Sequence, residues 1–307
     1  MRVPHQDGKT ARPRRCATTA PAVTTSKACR IFVGKDLGRA GDATKLWRMA
    51  EMREQRRSSV IAANLARHDG HTRADLERTG LVRLPGVVPT EWLAAARADV
   101  DGFLSRHGSG EHSLVDADHW DCPTIAELAV DERVESFLHS LTPPSVSAAP
   151  GFAGYRQRVL RILDGSAVDS PPFDWHYDAN AVTMLVPVVV PDGTGDLALF
   201  PDHRPHRRSA TVDAAERLLV HNSLYGRRLR RRFDADPSAF TVHLTPGDVY
   251  VFRGYRSLHA TLPWPTDTLR VTLLLQYGHP YGAEGSALQA VRNRRNAMRK
   301  RRTGHQP

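Results

Sequence analysis

The sequence predicts a mainly β domain with flanking helices, built on a closed or two-sheet antiparallel core. Three observations predict it. Six short runs rich in Val, Leu, Ile, Phe and Tyr occur at 155–163, 182–190, 196–200, 240–244, 248–253 and 268–277, separated by Gly, Pro and Asp. Helical periodicity lies mostly before them, so the chain lacks β-α-β alternation. The longest apolar stretches, Val182–Val190 and Val271–Leu275, are strand-sized, and none approaches the roughly 20 apolar residues of a membrane-spanning helix.

In chain order, residues 1–45 are expected to be a disordered basic leader, poor in large apolar residues. They superficially suit a transit peptide but lack an apolar h-region. A misassigned start is an equal reading, with Met49 and Met52 as alternative first residues. Residues 46–71 form a helical lead-in, with Leu46, Met49, Ile61 and Leu65 as apolar positions of a helix over 46–66. The ordered domain is predicted over 72–283. It opens with a short helix closed by Gly80 at its C′ position. A strand follows at Leu81–Leu84, then a Pro85-Gly86 turn and a helix from Glu91 to Leu104 with Thr90 as its N-cap. Short helices are expected at 124–130 and 132–141. An insertion at about 201–240 interrupts the strands and contains a helix near 211–224. Residues 284–307 form a basic C-terminal helix or tail.

The net charge of +10 does not by itself argue for nucleic acid. Much of it sits at the ends, for example in Arg12, Arg14 and Arg15 and in Arg299, Lys300, Arg301 and Arg302. Cys16, Cys29 and Cys122 are too few for a disulfide framework and form no C-x-x-C pair. A reducing, cytoplasmic setting is expected. Nothing in the pattern fixes an oligomeric state.

Metal chemistry enters at Asp174-Trp175-His176-Tyr177-Asp178. In a strand, residues i and i+2 point to one side, so His176 and Asp178 can share one ion. The tripeptide alone is weak, since about one chance copy is expected at this composition. It also occurs at His5/Asp7, in the leader, and at His119/Asp121, just before a predicted helix. Only His176/Asp178 lies among strands with a distal partner. That partner, His259, follows the turn Pro246-Gly247-Asp248 and the apolar run Val249–Phe252. Two histidines and a carboxylate leave ion positions open, the preference of non-haem Fe(II) oxygenases. Arg270 opens the next apolar run and needs an anion, because an unpaired buried charge is costly.

The order H-x-D, G-D-x-x-x-F, His-x-Thr and then Arg270 resembles the phytanoyl-CoA dioxygenase-like branch of the Fe(II)/2-oxoglutarate-dependent oxygenases. Leu76–Val88 is similar to that branch's N-terminal segment. Gly195–Arg204 is similar to its G-x-L-x-x-x-P-G-S-H segment, with Asp202 in place of Gly-Ser. The resemblance spans about residues 72–280. It implies a double-stranded β-helix (jelly-roll, cupin-like) core. It also implies His176, Asp178 and His259 as iron ligands, Arg270 on the distal carboxylate of 2-oxoglutarate, and Thr261 as a hydroxyl donor beside it. The cofactors implied are Fe(II), 2-oxoglutarate as cosubstrate, and O2, with succinate and CO2 released. Related halogenases carry a small residue at the position of Asp178, so C–H oxidation, such as hydroxylation, is the implied chemistry.

Two alternatives stay open beside this reading. A nucleic-acid dealkylating oxygenase would carry a second Arg six residues after Arg270, where this chain has Gln276, so a nucleic-acid partner is not expected. A non-catalytic cupin-like metal- or ligand-binding protein would favour H-x-H with further Glu and His, which 174–180 lacks. Trp175, Tyr177 and Asn180 flank the motif and either pack against the sheet or touch substrate. Arg204, Arg207, Arg208, Arg227, Arg228, Arg230, Arg231 and Arg232 fall in the insertion. They are either a solvated surface or a lid that recruits an anionic small-molecule substrate. The substrate itself is not specified by the sequence. A chain starting near Met49 should keep its melting temperature and its activity, because 1–45 offers little apolar surface to offset the entropy of ordering it. A large fall in melting temperature on truncation would refute this reading.

Overall fold

The computed structural model describes residues 40–115, 117, 120–147, 156–165, 174–205, 212, 213, 216, 220, 223–265 and 267–278, with side chains from residue 58. Contacts divide the chain into Met1–Trp47 and Arg48–Pro307, and the fold below belongs to the second unit. Residues 1–39 of the expected leader and the whole tail at 284–307 lie outside the described residues.

The elements run α1 (Ala40–Thr79), β1 (Leu81–Leu84), α2 (Thr90–His107), β2 (Gly110–Val115), α3 (Pro123–Val130), α4 (Glu132–Leu141), α5 (Pro144–Ser147) and β3 (Arg156–Asp164). They continue with β4 (Val182–Val189), β5 (Leu197–Phe200), α6 (Ser223–Phe233), β6 (Phe240–Val242), β7 (Val249–Phe252), β8 (Leu258–Thr261) and β9 (Leu269–Tyr277). A large sheet has the order β1-β7-β4-β9-β3-β2, and a small one the order β6-β5-β8. All pairings are antiparallel. From β4 onward the chain passes between the sheets, with β4, β7 and β9 in the large sheet and β5, β6 and β8 in the small one. This is a jelly-roll.

Strand alternation gives the large sheet two different faces. Val182, Met184 and Val186 of β4, Val249 and Val251 of β7, and Val271, Leu273 and Leu275 of β9 pack under the helices, among Ile61, Leu65, Trp92, Ile125, Leu128 and Phe137. The opposite face presents Leu185, Tyr250 and Phe252 to Leu197, Leu199 and Val242 of the small sheet. The strip beyond that contact, toward β3, is where polar residues can face inward without meeting an apolar layer.

Where structure and expectation differ, local physics accounts for it. The helices expected at 46–66 and from 72 are one continuous α1. Gly70 within it costs about 1 kcal/mol relative to Ala. Full burial of Ile61 and Leu65 on one side and Leu76 on the other outweighs that. Gly80 does close α1, with φ +75° and its N–H donating to the Leu76 carbonyl at 2.9 Å. The N-cap of α2 is Pro89, not Thr90, and the Pro89 carbonyl accepts from Trp92 and Leu93. Strand β2 is polar and escapes a propensity reading, but it forms an edge strand against β3. Of the helix expected near 211–224, residues 212, 213, 216, 220, 223 and 224 are helical and the others lie outside the described residues, while α6 continues to Phe233. No described helix is long and apolar enough to cross a membrane.

Because α1 contributes to the main core, Leu65→Ala should destabilise the fold by about 2–5 kcal/mol. This should appear as a lower urea midpoint with an unchanged m-value. A loss under 1 kcal/mol would show that α1 is peripheral.

Candidate functional site

His176 and His259 form an isolated antiparallel bridge that continues the small sheet past β8. The His176 N–H donates to the His259 carbonyl at 2.9 Å, and the His259 N–H to the His176 carbonyl at 3.0 Å. Two residues on, the Asp178 N–H donates to the Gly254 carbonyl at 3.0 Å. The H-x-D segment therefore behaves as a strand, and its alternation sends His176 and Asp178 to the same side. One donor atom from each of His176, Asp178 and His259 lies within 4.8 Å of the others. Asp178 and His259 are buried and His176 is half-buried.

The surrounding groups orient each donor. His176 Nδ1 lies 2.8 Å from the Asp174 carbonyl, and His259 Nδ1 lies 3.0 Å from the Ser257 carbonyl. A carbonyl only accepts, so each Nδ1 carries the proton and each Nε2 keeps its lone pair free. Thr183 donates its hydroxyl to Asp178 Oδ2 at 2.5 Å. The other oxygen, Oδ1, faces His259 Nε2 at 3.6 Å. Donors at right angles around one ion, each about 2.1 Å from it, would lie about 3 Å apart. The donor set thus fits a divalent ion, which His176, Asp178 and His259 would hold at the wall of the cavity.

Electrostatics acts on the three donors in different directions. Burial pushes the Asp178 carboxyl up, but the charge of the neighbouring His259, with His176 and the Thr183 hydroxyl, holds it below the ordinary carboxylate range. Burial, and then the charge of His259, push His176 down to about 4. For His259 burial acts downward, and the Asp178 carboxylate outweighs it and raises the imidazole. Gly254 makes the approach possible. A Cβ there would stand 2.2 Å from Asp178 Oδ2 and 2.4 Å from Thr183 Oγ1.

All three donors open into a cavity of about 280 Å³ that also contains Arg270 and Thr261. Arg270 is 3% exposed. Its Nε donates to the Gly195 carbonyl at 3.1 Å, and among the described residues it forms no ion pair. Burial, and then the charge of Arg161, push its pKa down to about 9, so the guanidinium stays charged at neutral pH. The structure thus brings together all five residues singled out by the sequence. It adds some that sequence reasoning missed: Thr183, Gly254, and the cavity-lining Gln157, Arg161, Thr272 and Gln276. On β9 a signal was present, because Arg270, Thr272 and Gln276 share one parity while Val271, Leu273 and Leu275 share the other.

The insertion's arginines separate into two kinds. Arg204 is buried against Asp213 at 2.7 Å and Glu216 at 2.9 Å, with Tyr177 and Tyr255 stacked on it. It is structural and unavailable to a substrate. Arg207 and Arg208 lie outside the described residues. Arg227, Arg228, Arg230, Arg231 and Arg232 are exposed on α6, and Arg232 pairs with Asp236. The buried side of α6 places Leu229 and Phe233 against Trp175 and Phe200. Trp175 is therefore a packing residue, whereas Tyr177 lines the cavity and hydrogen-bonds His203 at 2.6 Å. Asn180 is fully buried and is not a cavity-lining residue. Asp202, where the resembled segment has Gly-Ser, adopts φ +48° and pairs with Arg253 and Arg256.

The sequence matches no protein-family model and, at a significant level, no curated protein. Solved structures similar to the chain include the non-haem α-ketoglutarate-dependent carbocyclase SnoK of nogalamycin biosynthesis (16% identity, 68% of this chain and 83% of that one, TM-score 0.49). The α-ketoglutarate-dependent epimerase SnoN of the same biosynthesis is another (20% identity, 69% and 84%, TM-score 0.49). A third is HygX from Streptomyces hygroscopicus with nickel and 2-oxoglutarate bound (15% identity, 68% and 86%, TM-score 0.46).

Gly254→Ala should weaken divalent-metal affinity about 10–100-fold by displacing Asp178, while leaving the apolar core intact. Titration with Mn(II) checks this. Unchanged affinity would mean that Asp178 is not a ligand.

Proposed function

We propose that this chain is an Fe(II)- and 2-oxoglutarate-dependent dioxygenase that oxidises a C–H bond of a small molecule. The observation that carries the reading is the convergence, in one cavity, of a His-Asp-His donor set with a buried arginine that forms no ion pair among the described residues. His176, Asp178 and His259 would hold the iron. Arg270 would take the distal carboxylate of 2-oxoglutarate, with Thr261 adding a hydroxyl donor. Together the bound iron and 2-oxoglutarate supply O2-dependent oxidation, with 2-oxoglutarate leaving as succinate and CO2.

The protein's own contribution is positional. Carbonyls fix both imidazole tautomers, Thr183 fixes one carboxylate oxygen, and the two sheets keep bulk water from the donor atoms. Arg270 meets the cosubstrate charge with a desolvated guanidinium, where such pairs are strong. Asp178 fills the position that the resembled halogenases leave small, which supports oxygen insertion such as hydroxylation. The substrate class proposed is anionic. The exposed arginines of α6 sit on a helix whose inner side rests against Trp175, next to His176, and such a field raises the local concentration of anions.

Substitution of His176, Asp178 or His259 by Ala should abolish Fe(II) binding and succinate formation while the folded state persists. Arg270→Ala should raise the KM for 2-oxoglutarate about 10–100-fold, as expected for a lost charge-assisted pair. Full turnover in a ligand variant, or an unchanged KM in the arginine variant, would overturn the assignment. Mass spectrometry in high chloride should show product that gains oxygen and no halogen.

A further inference from the structure

Resting on the cosubstrate reading above, we infer that Gln157, Gln276 and Arg161 form the substrate subsite, and that it takes a small carboxylate bearing hydrogen-bonding groups. Strand register places these residues. Thr183, which holds Asp178, pairs with Gln276 across β4 and β9, and Gln276 pairs with Gln157 across β9 and β3. Both glutamines therefore lie on the rung of the metal-binding carboxylate, one and two strands to its side. Arg270 is six residues away along β9.

Gln276 is 9% exposed and lines the cavity, yet its amide has no hydrogen-bond partner among the described residues. A side chain in that state, open to a cavity beside the metal ligands, is poised for a group that both donates and accepts. Gln157, directly opposite on the same wall, offers a second amide.

Arg161 supplies the charge. It pairs with Thr272, four residues from Gln157 on the same face of β3, with its Cα about 13 Å away. Glu111 on the edge strand holds it at 3.4 Å, and its side chain is 25% exposed. The lining of the cavity contains Arg161, Arg270 and Asp178, and Glu111 pairs with Arg161 from the edge strand. A bound 2-oxoglutarate would place one carboxylate on the metal and the other on Arg270. Arg161 lines the same cavity, and a planar guanidinium with five N–H donors that is held by one carboxylate can take a second. A molecule spanning from Arg161 to the glutamine rung would bring its own C–H bonds to the metal end.

The test uses the full chain loaded with Mn(II), as a redox-inert stand-in, and 2-oxoglutarate. Thermal denaturation is followed against a panel of 2-amino, 2-hydroxy and dicarboxylic acids, each paired with its methyl ester. At least one acid should raise the melting temperature where its ester does not. Arg161→Met should remove that shift while retaining the shift caused by 2-oxoglutarate. Gln276→Leu should weaken binding of the same acid roughly tenfold, the cost of about one hydrogen bond. The subsite is overturned if no acid binds, if acid and ester bind alike, or if Arg161→Met keeps the acid shift. Loss of the 2-oxoglutarate shift in Arg161→Met would instead assign that arginine to the cosubstrate, and would also overturn it. Absence of any 2-oxoglutarate shift in the unaltered chain, or its persistence in Arg270→Ala, would identify a failure of the cosubstrate reading itself.

Discussion

His176 and His259 exchange two backbone hydrogen bonds at the edge of the small sheet, and the geometry of the whole site follows from that exchange. The bridge fixes two donor residues opposite one another with their rings 4.3 Å apart. It also sets the parity of the H-x-D segment, so that Asp178 falls on the side where His176 already points. A slip of one residue would turn His176 and Asp178 away from the cavity together. The bond from the Asp178 N–H to the Gly254 carbonyl locks the same register from the other end.

Large-sheet strands then separate two chemistries by parity. On β9 the odd residues Val271, Leu273 and Leu275 seal the helix-covered core, while Arg270, Thr272 and Gln276 face the cavity. One strand thus carries an apolar core on one face and a largely polar cavity wall on the other. That division works because, among the described residues, the small sheet has three strands. It covers the β4–β7 side of the large sheet with an apolar contact and leaves the β9–β3 side open for polar groups. A wider small sheet would have required apolar partners there.

The iron-type donor set was legible in sequence because its information is local: an i, i+2 pair in one strand, a histidine after a turn and strand, and an arginine opening the next strand. The jelly-roll followed from the strand spacing together with the resemblance. Other features were hidden for a common reason, since each depends on register or distant packing. Gln157 matters only because β3 pairs with β9, and Gly254 only because Asp178 and Thr183 crowd against it. The continuity of α1 across Gly70 depends on core contacts that no local propensity reports. Arg204 looked like part of a cationic cluster, and only the fold shows Asp213 and Glu216 around it.

Charge distribution explains why those arginines divide as they do. Arg204 is buried, and a buried cation persists only with nearby anions or aromatic faces. It has both, two carboxylates and the rings of Tyr177 and Tyr255, and in return it ties the end of β5 to the β7–β8 turn that carries Gly254. Arg270 is just as buried, but among the described residues it bonds a carbonyl and forms no ion pair. With comparable burial and opposite provision, the two cations have different roles. The first has its anions within the chain and serves the fold. The second keeps its positive charge at the wall of a cavity. The arginine satisfied by the protein thus helps hold in place the turn whose Gly254 carbonyl accepts from the Asp178 N–H.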